Sequence, residues 1–141
     1  MNATPLILLI QTIDIQIHHP CAEDGFSINQ LIADSPPLDT NSVYCNLLQC
    51  SHFADTSVIA KAGETIVGFI SGYRLPAQPE VLFVWQVVVS RQARGQGLAG
   101  RMLQAQVEAD ACTGVRYMET TITKDNAASH ALFQKFADKN D

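Results

Sequence analysis

The sequence predicts an α/β fold in one domain, a mixed central sheet flanked by helices. Three observations carry that prediction. Segments with the two-residue alternation of strands and segments with helical spacing follow one another along the whole chain. Near the middle, the most apolar run passes through a glycine-rich loop into a helical stretch and then another strand. Finally, 141 residues supply one hydrophobic core and not two, so residues 1–141 read as a single domain.

The first strand is expected over Ile13–His18, where Ile13, Ile15 and Ile17 alternate with polar neighbours. A helix follows over Glu23–Asp34: its opening acids suit a helix N-terminus, Ile28, Leu31 and Ile32 share a face, and Pro36-Pro37 ends it. A second helix begins near Asp39–Ser42, a run of good N-caps, and carries Tyr44, Leu47 and Leu48. Ser57–Ala60 and Thr65–Tyr73 read as a strand pair turning at Gly63-Glu64. Leu75–Glu80 reads as a loop, and Val81–Val89 as a central strand. Leu98–Asp110 has helical spacing, Val115–Thr123 is a strand, and Asn126–Ala137 is a last helix with Leu132, Phe133 and Phe136 on one face.

Composition narrows the function. Hydrophobic residues at 47% and charged residues at 16% suit a globular protein and argue against disorder. A net charge of −5 excludes general nucleic-acid binding, which needs a basic face. The charge is uneven, however. Between Val81 and Val107 there is no acid, yet Arg91, Arg94 and Arg101 fall there. An acidic chain with one cationic stretch invites an anionic ligand at that stretch.

The four cysteines, Cys21, Cys45, Cys50 and Cys112, form no CxxC pair and no metal-ligand spacing with the histidines. They read as structural thiols, and no metal site is expected. His52 and His130 read as surface or capping residues. The run Leu6–Ile10 is too short to span a bilayer and has neither a basic flank nor a cleavage site. The cytoplasm is the expected compartment, with no membrane partner.

The loop Ser90–Ala99 joins a buried strand to a helix start. Glycines let its backbone turn sharply and approach a ligand closely. Free N–H groups and the dipole of the helix start attract an anion. With the arginines, this is a cradle for a pyrophosphate. Gly95-x-Gly97-x-x-Gly100 also fits the dinucleotide fingerprint, with Glu119 about twenty residues on. Against that, five residues separate Val89 from Gly95, and only 41 follow Gly100. A helix with an ordinary glycine-rich entrance is the bland alternative.

Arg94-x-x-Gly97-x-Ala99 after an apolar strand resembles the acetyl-CoA motif of the GNAT superfamily of N-acetyltransferases, and Asn126–Phe136 resembles that family's next motif. The resemblance implies a GNAT fold whose last strands are missing here, so that the domain is short at its C-terminus. It also implies acetyl-CoA as cosubstrate. Backbone groups of Val87 and Val89 would hold the pantetheine arm, and those of Arg94, Gly95, Gln96, Gly97, Leu98 and Ala99 the pyrophosphate. Asn126 would contact the cofactor. Many members place a tyrosine where this chain has Phe133, which has no proton to give to the leaving thiolate.

Further strings resemble a narrower family, the diaminobutyrate acetyltransferases of ectoine biosynthesis. These are Pro36–Cys45, His52–Ser57, Leu82–Val87, Glu119–Thr121 and Asp125–Ser129. That resemblance runs from about Ile17 to Ala137. It implies acetyl transfer to the γ-amine of 2,4-diaminobutyrate, a small-molecule partner, and a role in osmoprotection. A CoA-binding module with little catalysis, or an enzyme of the same fold acting on another small amine or a peptide amine, remains open.

A free amine has a pKa near 10, so about 4 kcal/mol separates it from its nucleophilic form at pH 7. A carboxylate, or a water held by one, can take the proton. Asp39 either caps the second helix or, by resemblance, binds the substrate ammonium. Glu119 is a catalytic candidate, the alternative being a structural hydrogen bond, since an unpaired acid in mid-strand would be costly to bury. Tyr44 is either a core phenol or a site hydroxyl that returns a proton. Trp85 and Gln86 should lie on opposite faces of their strand, Trp85 as pocket wall or core and Gln86 as a structural residue. A main-chain N–H near Val87, freed by a bulge, would polarise the thioester. No cysteine is paired with a histidine, so transfer should be direct. The strand Val115–Thr123 is expected to have an uncovered edge, and a homodimer is one way of covering it.

Overall fold

In a computed structural model of the chain, residues 6, 14–36, 38 and 40–140 are described. Strand β1 (Ile15–His18) is followed by a short 3-10 turn and helix α1 (Gly25–Ala33), then helix α2 (Val43–Ser51). A meander of β2 (Val58–Ala62), β3 (Thr65–Leu75) and β4 (Gln78–Val89) leads to helix α3 (Leu98–Val107), strand β5 (Tyr117–Thr120) and helix α4 (Ala127–Asn140). The sheet order is β1-β2-β3-β4-β5. Its first three pairings are antiparallel and β4–β5 is parallel, so the sheet is mixed as expected. The parallel pair requires a crossover, which α3 supplies.

Local chemistry explains each boundary. Ser42 caps α2, its Oγ accepting the Cys45 N–H at 3.0 Å. Asp24, at the start of α1, accepts from the Cys21 N–H at 2.9 Å and pairs with Lys61 of β2 at 3.3 Å, tying helix to sheet. Gly63 turns β2 into β3 with φ +63°. The segment expected as a loop, Leu75–Glu80, is instead a two-residue turn at Pro76-Ala77 within a long hairpin. Arg74 accounts for the difference. Its guanidinium donates to Pro79 of β4 and to the carbonyls of Ala111 and Thr113, clamping the hairpin to the segment after α3.

Two cores sandwich the sheet. One packs Ile70, Val84, Leu98, Met102 and Leu103 beneath α3, with Leu132, Phe133 and Phe136 of α4 against it. The other packs Ile28, Ile32, Cys50, Ile59, Phe69 and Val88 beneath α1 and α2. Gly68 lets α3 come close: a Cβ there would lie 2.8 Å from the Met102 methyl. Helix α2 inverts the expected pattern. Its buried positions are Asn46, Gln49 and Cys50, whereas Tyr44 is 69% exposed. No helix among the described residues is long and apolar enough to cross a membrane.

Candidate active site

Strand β4 changes partners along its length. Val81–Val84 pair with Tyr117–Thr120 of β5, and the Thr120 hydroxyl closes that half by donating to the Val84 carbonyl at 2.9 Å. From Trp85 to Val89 no described strand lies on the β5 side, while β3 still pairs on the other. The register with β3 slips here: Ser71 faces Gln86 and Gly72 faces Val84, leaving Trp85 as the extra residue of a bulge. The expected bulge is therefore present, one or two residues before Val87. Ser71 Oγ accepts the Gln86 N–H at 3.1 Å.

The bulge corrects one expectation. Simple alternation put Trp85 and Gln86 on opposite faces. In the structure both reach the α2 side: Trp85 stands 6.0 Å from the ring of Phe53, just past α2, and Gln86 Oε1 accepts from Gln49 Nε2 of α2 at 3.3 Å. Trp85 also meets Tyr73 edge-on at 5.8 Å, and Tyr73 meets Phe83 at 5.4 Å. At 38% exposure Trp85 is not a core residue. Glu119 is paired beside Phe83 and is exposed, so the burial cost expected of it does not arise. The face thus offers four aromatic rings with a carboxylate at its border.

At the far end of β4, the chain makes a 3-10 turn at Arg91–Ala93 and extends through Arg94. Gly95 and Gly97 adopt φ +78° and +72°, values a side chain resists. Gly97 is the N-cap of α3 and supplies no side-chain cap. Among the described residues, nothing accepts the N–H groups of Leu98, Ala99 and Gly100. Orphan donors at a helix start suit an anion. A cavity of about 190 Å³ opens onto them, lined by Val89, Ala93, Arg94, Gly95, Gly97, Leu98, Ala99, Gly100 and Leu132. Arg94 Nε donates to the Val89 carbonyl at 3.1 Å, holding the guanidinium at its rim. Six of the nine residues named from sequence for the cofactor line this one cavity; Val87, Gln96 and Asn126 do not.

A larger cavity of about 850 Å³ lies between α1, the β2–β3 turn and Ser90–Gln92 at the start of the same loop. It holds none of the predicted site residues, and its Lys61 is already paired with Asp24.

Asn126 stands before α4, where its Oδ1 accepts the Ser129 N–H at 3.1 Å in a cap role; among the described residues its Nδ2 has no partner. Phe133 packs toward the α3 core. Among the described residues, no hydrogen bond or ring contact links Tyr44 to Trp85, Glu119 or Phe133, and its exposure rules out the core-phenol reading. Asp39 lies outside the described residues. All four thiols are pushed up: Cys50 to about 12 and Cys45 and Cys112 by burial, and Cys21 by the carboxylates of Glu23 and Asp24 that accept from it. None is a ready nucleophile.

The sequence matches the Acetyltransferase (GNAT) family over residues 25–137. The chain belongs to the GNAT family of acetyltransferases. Relatives sharpen its place within that family. It is 54% identical over 140 residues to the L-2,4-diaminobutyric acid acetyltransferase of Methylotuvimicrobium alcaliphilum, spanning 99% of this chain and 77% of the relative. It is 54% identical over 116 residues to the enzyme of that name from Vibrio parahaemolyticus, spanning 82% of this chain and 64% of the relative. Among solved structures, it resembles the diaminobutyrate acetyltransferase EctA from Paenibacillus lautus, in complex with its substrate L-2,4-diaminobutyric acid and coenzyme A. There the TM-score is 0.89 at 44% identity, covering 91% of this chain and 77% of that one. Aminoglycoside N-acetyltransferase AAC(6')-Iy, at TM-score 0.72 and 18% identity over 92% of this chain and 90% of that one, shares the fold. This GNAT acetyltransferase thus has the expected fold.

The residues that the sequence left unremarked are Phe53 and Tyr73 of the aromatic wall, Arg74, and the polar positions of α2. Asn46 and Gln49 share a helical face with Cys50 and Phe53, and polar residues on an inward face were the available signal.

Proposed function

We propose that this chain transfers acetyl from acetyl-CoA to the γ-amine of L-2,4-diaminobutyrate, in the cytoplasm and in the service of ectoine synthesis and osmoprotection. The observation that carries the reading is the 54% identity over 140 residues to a relative of that activity. The geometry supports it: an anion cradle at one end of β4 and an aromatic, acidic face at its middle, joined by a stretch of strand open on its β5 side.

In this reading the N–H groups of Leu98, Ala99 and Gly100 hold the pyrophosphate, helped by Arg94 and by the backbone of Gly95, Gln96 and Gly97. The open backbone of Val87 and Val89 aligns the pantetheine arm, and Asn126 Nδ2 reaches the cofactor. Acetyl-CoA supplies the acetyl group as a thioester. A main-chain N–H beside the bulge polarises its carbonyl. Trp85 and its neighbouring rings hold an ammonium by cation–π attraction, with Asp39 as a further ammonium ligand. Glu119, directly or through water, takes a proton from the γ-ammonium so that the free amine attacks. The C–N bond forms, the nitrogen gives up its second proton to water, the C–S bond breaks, and the sulfur leaves as thiolate. Tyr44, or water, returns the proton to it. The raised thiols favour this direct route over an acetyl-cysteine.

A second copy would cover the edge of β5 that no described strand pairs, and sedimentation velocity decides whether it does. The activity is tested by CoA release in a panel of amines. L-2,4-diaminobutyrate should exceed other small amines and a peptide N-terminus in kcat/KM. CoA binding without release would favour the non-catalytic module.

A further inference from the structure

A chain of amide side chains runs from α1 to β4 and ends at the acceptor face. Asn29 Nδ2 donates to the backbone carbonyl of Asn41 and to Asn46 Oδ1, both at 2.9 Å. Asn46 Nδ2 donates to Gln49 Oε1 at 2.8 Å, and Gln49 Nε2 donates to Gln86 Oε1 at 3.3 Å. Asn46 and Gln49 are fully buried.

The direction of this chain is not arbitrary. A backbone carbonyl only accepts, so Asn29 must present its NH2 to Asn41. The second hydrogen of the same nitrogen faces Asn46, which must answer with oxygen. Each following amide is oriented by the one before it, and such chains reinforce one another in a buried setting. The last member, Gln86, therefore has its oxygen engaged and its NH2 left over. Among the described residues nothing accepts from that nitrogen. Gln86 is half-buried, unlike the two amides behind it, and it adjoins Trp85 at the bulge.

An amide nitrogen can only donate, so its complement is an oxygen. The proposed acceptor carries two ammonium groups and one carboxylate. Glu119 and the aromatic rings suit the ammonium groups, and none of them suits the carboxylate. We propose that Gln86 Nε2 donates to the carboxylate of the acceptor amino acid, which makes Gln86 a specificity-determining residue. The inference rests on the functional reading above. A flipped Gln86 would set donor against donor at Gln49 and turn its own oxygen on the carboxylate. Asn29, Asn46 and Gln49 are thus positioning residues for this one donor.

The test compares kcat/KM for L-2,4-diaminobutyrate with that for 1,3-diaminopropane, the same diamine without its carboxylate. In Gln86→Met the preference for diaminobutyrate should fall about 10- to 100-fold, as expected for loss of a hydrogen bond to a charged group, and the fall should lie in KM. Gln86→Glu keeps the oxygen toward Gln49 and sets a carboxylate against the substrate's, so its preference should fall further. Acetyl-CoA affinity by calorimetry reports the integrity of each variant. An equal loss on both amines, or no loss, overturns the proposal. Wild-type protein inert toward diaminobutyrate would instead overturn the functional reading, and this inference with it.

Discussion

Trp85 and Gln86 are neighbours in β4, yet both side chains reach the α2 side of the sheet, because the strand carries one extra residue between Val84 and Gln86. Trp85 closes an aromatic wall with Phe53 and Tyr73, and Gln86 meets Gln49. If Trp85 holds a substrate ammonium, Trp85→Leu should raise the amine KM by about 2- to 30-fold. Acetyl-CoA affinity should change far less. Parallel losses for both ligands in steady-state kinetics would show that the ring serves the fold and not the acceptor.

Gly97 and Gly63 make a matched pair of controls, with φ +72° and +63° and open space where a Cβ would go. Alanine at either position should destabilise the protein by about 1–2 kcal/mol through backbone strain. Only Gly97→Ala should also weaken acetyl-CoA binding, because only that strain sits among the donors of α3. Thermal melts and calorimetry on the two variants make the comparison; equal affinities would remove the pyrophosphate from this loop.

Much of this was legible before the structure. The strand through Val81–Val89 and the sharp glycine turn after it were legible, and Gly95 and Gly97 take positive φ at the start of α3. The alternation of Ile15 with Ile17 and the capping serine at 42 fell where local rules put them. What was not legible depends on contacts far apart in sequence. The bulge at Trp85 arises from pairing with Ser71 and Gly72, and it reverses the facing that alternation assigns to Gln86. The hairpin at Pro76-Ala77 depends on Arg74 reaching Ala111 and Thr113. Tyr44 looked like an inward aromatic only because the amides that occupy the inward face of α2 looked polar.

Glu119→Gln should lower kcat by about 100-fold at neutral pH, the low end for a lost general base. Part of the loss should return as pH rises, because the substrate then arrives already deprotonated. Tyr44→Phe should cost less than about 10-fold, since a CoA thiolate leaves without an acid. The pH–rate profiles of the two variants decide this. A wild-type profile from Glu119→Gln would move the base elsewhere.

Asp24 links stability to pH. Its burial opposes ionisation, but the Cys21 N–H and thiol and the Lys61 ammonium outweigh that and hold its carboxyl below the ordinary range. A lowered folded value means the stabilisation is complete above the unfolded value of about 3.9 and is lost as pH falls through the folded one. Asp24→Asn should therefore be less stable than wild type at neutral pH, and the two should converge under acid conditions. Melting temperature against pH would show it; a constant gap down to low pH would contradict the assignment.

The central claim is the transfer itself, and the direct measurement is the product formed from acetyl-CoA and L-2,4-diaminobutyrate. Mass spectrometry should show a gain of one acetyl group matched to the CoA released, and NMR should place it on the γ-nitrogen. An acetyl group on the α-nitrogen, or CoA release with no acetylated diaminobutyrate, would contradict the account.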